Sequence, residues 1–490
     1  MDSLLRDAVR RLAPSLPTLL ELGDLFAEAG HELALVGGPV RDAFLGRTAP
    51  DLDLTTSASP DQTEKLLAPR ADATWDVGRE FGTIAARLGD RMVEITTYRA
   101  DAYDRVTRKP LVAFGDNLTD DLIRRDFTVN AMALRLPSLE FVDPHGGLDD
   151  LAARTLRTPS PPDVSFSDDP LRMMRAARFV SQLGFTLAPA VRDAMSESAT
   201  SLHIVSAERI REELARLILG THPVAGLRVL VETGLADQML PELATLRQTV
   251  DEHRRHKDVY EHTLTVLEQA IALEDPPTGA AGDDTGATDD TADTVPAPDL
   301  VLRLAAIMHD IGKPPTRRFE PGGGVSFHHH EVVGAKMTTK RLRALRFDND
   351  TIKAVARLVE LHLRFHGYAD GEWTDSAVRR YITDAGPLLP RLHKLTRADC
   401  TTRNTRKAAR LRTAYDTLEQ RIQQLTAEEE LKAIRPELNG HEIAELLGIP
   451  PGPTLGKAYK HALEIRLDDG PIGKDAVAAR LLEWWQEQEK

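Results

Sequence analysis

The sequence predicts an α+β head over residues 1–157, followed by a long all-α body. Three observations predict it. Strand-like runs rich in β-branched residues alternate with short helical runs over the first third of the chain. From about residue 160, apolar residues recur at i, i+3 and i+4, the spacing of one helix face. One segment, PTGAAGDDTGATDDTADTVPAP (277–298), has almost nothing to bury and separates helical patterns on both sides, so it reads as a disordered insertion.

The elements follow in order. MDSLLRDAVRRLAPSL lacks the long apolar core of a signal peptide and reads as an amphipathic helix. LALVGG (33–38) is a short strand ended by glycines, VRDAFLG a helical turn or two closed by Gly46, and DLDLTT a second strand. ATWDVG, GTIAARLG and RMVEITTYR add strands; FTVNAMALRL reads as a helix and LEFVDPHGG as the last strand of the head. DDPLRMMRAARFVSQLGF, SAERIREELARLILG and AGLRVLVETGLADQML are helices of a neck over 158–250. Helical patterns resume at LVLRLAAIMHDIG in a domain over 251–425 that carries the acidic insertion 276–299, and a helical tail covers 426–490. At 490 residues, two to four domains are expected.

Composition bounds the function. Apolar residues make up 41%, enough for a real core, whereas aromatics at 5% leave few stacking platforms for bases. A net charge of −14 argues against a nucleic-acid partner, but residues 274–300 hold eight Asp/Glu and no Lys/Arg. The remainder is near enough to neutral to carry local basic faces. One cysteine, Cys400, rules out an intramolecular disulfide framework and fits a reducing compartment. With no apolar run of about 18 residues, the expectation is a soluble, cytoplasmic protein without a membrane partner.

The stretch VGGPVRDAFLGRTAPDLDLTT (36–56) carries chemistry. In a strand, Asp51 and Asp53 project to one face while Leu52 and Leu54 enter the core. Parallel carboxylates repel, and divalent metal is the obvious compensation: two such aspartates can bridge Mg²⁺ ions roughly 3.5–4 Å apart, the arrangement for in-line phosphoryl transfer. Gly37 and Gly38 let backbone N–H groups approach a triphosphate, and Pro39 removes one such group, leaving Arg41 to help.

This composite resembles the first motif of the class II tRNA nucleotidyltransferases, the CCA-adding enzymes and their bacterial poly(A) polymerase relatives, which have a polymerase-β-like head with a mixed sheet. Further motifs of that family follow in order. RRDFTVNAMAL (124–134) is similar to the second motif: Arg124 and Arg125 can hold phosphates, and Asp126 and Asn130 can hydrogen-bond a ribose 2′-hydroxyl. DPHGGLDDL (143–151) resembles the linking motif after the head. DDPLRMMRAARF (168–179) resembles the motif that selects the nucleotide, with Asp168 where the family usually has Glu. Asp169 and Arg172, three apart, would share a helical face. Their acceptor and forked donor suit the edges of cytosine and adenine and leave polar groups unpaired against uracil and guanine. Arg175 and Arg178 continue that face toward nucleotide or tRNA. In SAERIREEL (206–214), Arg209 and Glu213 could buttress the template. Residues 98–122 take the place of the flexible loop that helps swing the family from C to A, and Glu94 is a candidate third carboxylate near the metals.

In IMHDIGKP an adjacent His309–Asp310 pair offers an imidazole and a carboxylate to one metal. With His262 upstream and HHHEVVG, His362 and Asp399 downstream, the order resembles an HD-type metal phosphohydrolase domain. The resemblance implies His262, His309, Asp310 and Asp399 as a first metal set and His330 and His362 as a second. Mixed His/Asp ligation suits Mn²⁺, Ni²⁺, Co²⁺, Fe or Zn²⁺ more than Mg²⁺; whether the domain is catalytic stays open. The basic run RNTRKAARLR (403–412) is a candidate for tRNA phosphates.

The resemblance implies template-independent addition or repair of the 3′-terminal CCA of tRNA from CTP and ATP, with release of pyrophosphate. Complete addition, partial addition, poly(A) synthesis and HD-driven phosphohydrolysis of nucleotides or RNA ends remain alternatives.

Overall fold

A computed structural model describes residues 2–48, 51–76, 79, 82–100, 113–114, 117–247, 259–276, 294–321, 324–365, 373–401, 405–429 and 434–488. Most of the 98–122 loop, the centre of the acidic insertion and the start of the 403–412 basic run lie outside the described residues. The chain forms two compact units, Met1–Met239 and Leu240–Lys490.

The first unit is built on a mixed seven-stranded sheet. Its strands are β1 (Leu33–Val36), β2 (Leu52–Thr56), β3 (Ala73–Trp75), β4 (Thr83–Leu88), β5 (Arg91–Thr97), β6 (Ala133–Leu136) and β7 (Glu140–Val142). Their spatial order is β3-β4-β5-β2-β1-β6-β7, with β2 and β5 parallel and the other neighbours antiparallel. All four residues of β1 are buried, as a strand covered on both faces requires. In β2, Leu52 and Leu54 are buried and Asp53 is half-exposed, so the alternation turns the carboxylate out of the core.

FTVNAMALRL is not a helix. Thr128–Asn130 forms one 3₁₀ turn, and Ala133–Leu136 is strand β6, inserted between β1 and β7. Ala, Met and Leu favour helix locally, but β6 finds ladder partners on both sides, with Ala133 opposite Val36 and Val142. Tertiary pairing overrides the local preference.

The linking glycines hold that turn in place. Gly146 has φ +70°, and a Cβ on Gly147 would lie 2.2 Å from the Thr128 carbonyl oxygen and 2.8 Å from Met132. The Asp143 carboxylate caps the following helix, accepting from Gly147 N–H (2.7 Å) and Leu148 N–H (2.9 Å). Thr128 donates to Asp150 at 2.5 Å. DPHGGLDDL is therefore the cradle of the turn that carries Asp126 and Asn130. Gly147→Ala is expected to destabilise the first unit by about 1–3 kcal/mol, because a backbone atom must yield; denaturant unfolding with matched slopes measures it.

Beyond the sheet, the first unit has two short strand pairs, Thr155–Leu156 with Thr186–Leu187 and Arg99–Ala100 with Ala113–Phe114, and helices, with Leu171–Leu183 packed on Ala207–Ile218 and on Pro223–Glu232. Among its described residues, the regular elements of the second unit are helices, apart from a two-stranded hairpin at Arg318–Phe319 and Val325–Ser326. Its C-terminal helices share a separate apolar core around Leu438, Ile443, Ala462, Val477 and Leu481. Among the described residues, no helix is long and apolar enough to cross a membrane.

Candidate active site and candidate metal centre

In the first unit, the sheet brings three carboxylates together. Asp53 on β2 stands beside Glu94 on the parallel strand β5, in register and on one face. Asp51 lies in the bend just before β2. Burial and then the neighbouring carboxylates push Glu94 up from its ordinary value. Burial and Asp51 push Asp53 up, against the pull of Arg125. An oxygen-rich, mutually repelling set of this kind fits a hard divalent cation, which would relieve the repulsion.

The glycine turn lies over this set. Gly37 has φ +72°, where only glycine is unstrained. A Cβ there would stand 3.2 Å from Arg125 Nη1 and 3.8 Å from Asp53 Oδ2. Arg125 is itself held by Asp121 (3.1 Å), which also accepts from the Thr55 hydroxyl at 3.3 Å. Asp121 is absent from the sequence reading, although its i, i+4 spacing from Arg125 in TDDLIRR was there to be seen.

Five of the residues expected to bind nucleotide, Arg41, Asp126, Asn130, Arg175 and Arg178, lie along one polar chain. Arg41 is bonded to Asp42 (2.9 and 3.0 Å) and donates to Asn130 Oδ1 at 2.7 Å. Asn130 Nδ2 donates to Asp126 at 2.9 Å. Arg175 grips Asp126 through Nε and Nη2, at 2.7 and 2.5 Å. Burial opposes ionisation of Asp126, but Arg175, Asn130 and the Phe127 N–H together hold it at about 2. Arg178 pairs with Glu213 at 2.6 Å, and its burial lowers it to about 10 despite that partner. The guanidinium groups of Arg41, Arg175 and Arg178 lie 5.2, 5.6 and 4.3 Å from the Phe179 ring centroid. Phe179, absent from the sequence reading, meets Phe127 edge-on at 5.7 Å and ties the Leu171–Leu183 helix to the 124–130 segment.

Asp169 and Arg172 do not share a helical face. Asp169 is extended (φ −146°, ψ 100°), between the helices Pro162–Asp168 and Leu171–Leu183. Pro170 disfavours helix at the residue before it, so Asp169 instead receives the Leu171 N–H at 3.1 Å and pairs with Arg209 at 3.0 Å. Arg172 bonds Ser165 Oγ at 2.8 Å and the Arg124 carbonyl at 2.5 Å. Arg209 and Glu213 thus both brace residues of the 168–179 stretch, Asp169 and Arg178 respectively.

In the second unit, the termini of five helices converge. His262 lies in the first turn of Val259–Ala272; His309 and Asp310 follow Leu300–Met308; His330 opens His330–Ala344; His362 follows Asn349–Leu361; Asp399 ends Leu389–Asp399. Two groups, His262/His309/Asp399 and Asp310/His330/His362, each keep their ligand atoms within 4.8 Å of one another. Asp310 reaches toward both: its oxygens lie 3.5 Å from His262, 3.2 Å from His309 and 3.3 Å from His330.

The imidazole tautomers are set from outside. His309, His330 and His362 place Nδ1 2.9, 2.9 and 2.6 Å from the carbonyls of Ala306, Phe327 and Val359. A carbonyl only accepts, so Nδ1 carries a hydrogen, and each ring in its neutral form faces the cluster with the Nε2 lone pair. His362 Nε2 is buried without a hydrogen-bond partner. An orphaned acceptor among carboxylates and imidazoles fits a bound transition-metal ion. Burial opposes protonation of His309, but Asp310 and Asp399 raise it to about 9; burial and then His309 lower His362 to about 3. Against burial, His309 and Lys313 hold Asp310 well below the carboxylate range. Gly312 permits the close approach, since a Cβ there would fall 2.0 Å from the His330 carbonyl oxygen.

Comparison with known proteins finds matches over both units. The family model "Poly A polymerase head domain" matches residues 33–157, "Probable RNA and SrmB- binding site of polymerase A" matches 184–246, and "HD domain" matches 259–404. The A-adding tRNA nucleotidyltransferase of Deinococcus radiodurans is 35% identical over 93% of this chain and 96% of its own. The chain belongs to the tRNA nucleotidyltransferase/poly(A) polymerase family. Members of this nucleotidyltransferase family differ in what their names say they add. The CC-adding tRNA nucleotidyltransferase of Thermus thermophilus is 31% identical over 92% of this chain and 93% of its own. The CCA-adding enzyme of Bacillus subtilis is 40% identical over 44% of this chain and 53% of its own. The crystal structure of the Bacillus stearothermophilus CCA-adding enzyme with CTP superposes with a TM-score of 0.66, covering 98% of each chain at 24% identity, and shows the shared fold. The nucleotidyltransferase and HD families are both metal-dependent.

Proposed function

We propose that this nucleotidyltransferase builds or repairs the 3′-terminal CCA of tRNA from CTP and ATP. The observation that carries the reading is the Asp51/Asp53/Glu94 set beneath Gly37 and Arg125. The tRNA 3′-hydroxyl attacks the α-phosphorus of the nucleotide, and the bond to pyrophosphate breaks. Asp51, Asp53 and Glu94 hold Mg²⁺, whose oxygen preference they match. Bound there, the ion supplies hydroxyl activation and charge neutralisation. Gly37 and Gly38 admit the triphosphate; Arg41, Arg124 and Arg125 add positive charge; Asp126 and Asn130 read the ribose. Asp169 and Arg172 exchange their present partners for the edge of C or A, with Arg178 beside them. A reducing cytoplasm suits the single cysteine, Cys400.

The test offers tRNA lacking CCA with CTP alone, ATP alone and both. Two C residues followed by one A are expected. Addition of CC only, or of A only onto tRNA ending in CC, would narrow the activity to that of the Thermus or Deinococcus relative. Long A tails, or no addition, would overturn the reading.

The orphaned His362 Nε2 favours a second reading for the other unit. The six-residue His/Asp cluster holds a divalent transition metal and releases phosphate from nucleotides or RNA ends. Metal-dependent phosphate release that disappears in His309→Ala and Asp310→Ala is expected; its absence from the metal-loaded wild type would overturn this second activity.

A further inference from the structure

We propose that Arg175 is the positioning residue through which the protein selects ribose over deoxyribose, giving up one of its two contacts with Asp126 to the 2′-hydroxyl of the incoming nucleotide. The inference rests on the reading of Asp126 as the ribose acceptor.

A carboxylate offers about four lone-pair positions, and all four of Asp126 are filled. Oδ1 accepts from the Phe127 N–H at 2.8 Å and from Asn130 Nδ2 at 2.9 Å. Oδ2 accepts from Arg175 Nε at 2.7 Å and Nη2 at 2.5 Å. A 2′-hydroxyl that donates to Asp126 must displace one of these donors.

The Oδ1 donors are fixed. One belongs to the backbone that enters the 3₁₀ turn. The other belongs to Asn130, whose far end is pinned by Arg41 at 2.7 Å. The Oδ2 donors belong to a single guanidinium with N–H groups to spare. A second acceptor is close by: Glu213 Oε1 is 3.7 Å from Arg175 Nη1, while the other oxygen of Glu213 engages Arg178 at 2.6 Å. The Arg175 side chain is 33% exposed, against 8% for Asp126 and 6% for Glu213, so it is the member of the set that solvent and ligand can reach. Turning toward Glu213 frees one lone pair on Oδ2 and leaves the other N–H to keep the carboxylate ionised, hence an acceptor. A deoxynucleotide has no hydroxyl to exchange, and Arg175 keeps both contacts.

Arg175 lies three residues beyond Arg172 on the Leu171–Leu183 helix, so base and ribose are read from one rigid element. The two selections remain separable in their hydrogen bonds: Asp169 and Arg172 bond Arg209, Ser165 and the Arg124 carbonyl, and Asp126 acts on Arg172 through its charge alone.

The experiment measures kcat/KM for CTP and dCTP (or ATP and dATP, whichever the chain incorporates) in wild type, Arg175→Met, Arg175→Lys and Asp126→Ala, with CTP against UTP in parallel. Without the Arg175 cation the buried Asp126 carboxyl takes a proton and no longer offers the 2′-hydroxyl a charged acceptor, so Arg175→Met is expected to lower the ribose-to-deoxyribose ratio about ten- to a hundredfold, the size of one hydrogen bond to a charged acceptor, and to leave base selection unchanged. Arg175→Lys keeps the charge but not the two-pronged grip; it should lose part of the ratio, and it decides the matter if the Met variant does not fold. Wild-type ribose ratios in both Arg175 variants, with the ratio lost in Asp126→Ala, overturn the inference and leave the reading of Asp126 standing. A wild-type ratio in Asp126→Ala overturns both. Equal falls in ribose and base selection indicate a general structural role and also overturn it.

Discussion

Asp53→Asn is expected to lower nucleotide addition by at least about a thousandfold while the protein folds normally. The carboxylate stands among Asp51, Glu94 and Arg125, and in the proposed reaction it would hold a cation that matters most as charge develops on the triphosphate. The substitution conserves shape and removes one negative charge. Its effect on stability has the opposite sign from its effect on rate. Burial and Asp51 raise Asp53 above its ordinary value of 3.8, so its contribution to stability is present below that value and is lost as pH rises through the folded-state value. At neutral pH without metal, wild type therefore carries a repelled carboxylate that the Asn variant lacks. In chelator the variant should melt at or above the wild-type temperature, and the difference should close in acid. Mg²⁺ should raise the melting temperature of wild type and not of the variant. Thermal unfolding with and without Mg²⁺, paired with single-turnover addition, checks both halves. A variant that adds nucleotide at the wild-type rate sinks the assignment.

Local chemistry was readable wherever its partners lie close in sequence. The β2 alternation placed Leu52 and Leu54 inward and Asp53 outward, and the structure does the same. The stop at Gly46 and the strands β3 to β5 were likewise legible from turn residues and β-branched runs. FTVNAMALRL misled because its helix-favouring residues are claimed by two neighbouring strands, one nearly a hundred residues earlier in the chain. Asp169 misled for a related reason. The three-residue spacing to Arg172 implies one face only if the helix runs through both, and Pro170 ends that continuity. The polar chain from Arg41 to Arg178 was legible as a set of residue types, but not as a network. Asn130 reaches Arg41 across 89 positions and Arg175 reaches Asp126 across 49. No periodicity encodes such pairings. Phe179 was hidden for the same reason: as one apolar residue on an apolar helix face, it gives no sign that it gathers three guanidinium groups.

Asp310→Asn is expected to reduce transition-metal affinity by about a hundredfold or more, with little effect on nucleotide addition. The Asp310 side chain is 2% exposed and lies within reach of three imidazoles and Lys313, and it is the carboxylate of the Asp310/His330/His362 group. Proton linkage distinguishes this loss from simple unfolding. In the metal-free protein His309 sits at about 9, well above its ordinary 6.5. Its stabilising contribution is thus complete below 6.5 and is lost as pH rises through about 9. A metal ion needs His309 neutral, so binding near pH 7 must expel a proton and affinity must rise with pH until about 9. His362, at about 3, is already neutral and releases nothing. Calorimetric titration of chelator-stripped protein with Mn²⁺ or Ni²⁺, in buffers of different ionisation enthalpy, counts the protons released. Wild type should release about one from this pair of histidines near pH 7 and fewer above pH 9. In the Asn variant a principal anionic partner of His309 is gone, so its proton is held less tightly, the metal-free protein loses less stability between pH 6.5 and 9, and residual binding expels fewer protons. Unchanged affinity and proton count in the variant would show that Asp310 is not a ligand, and the cluster would then have to be explained as a buried ion-pair network centred on His309 and Asp399.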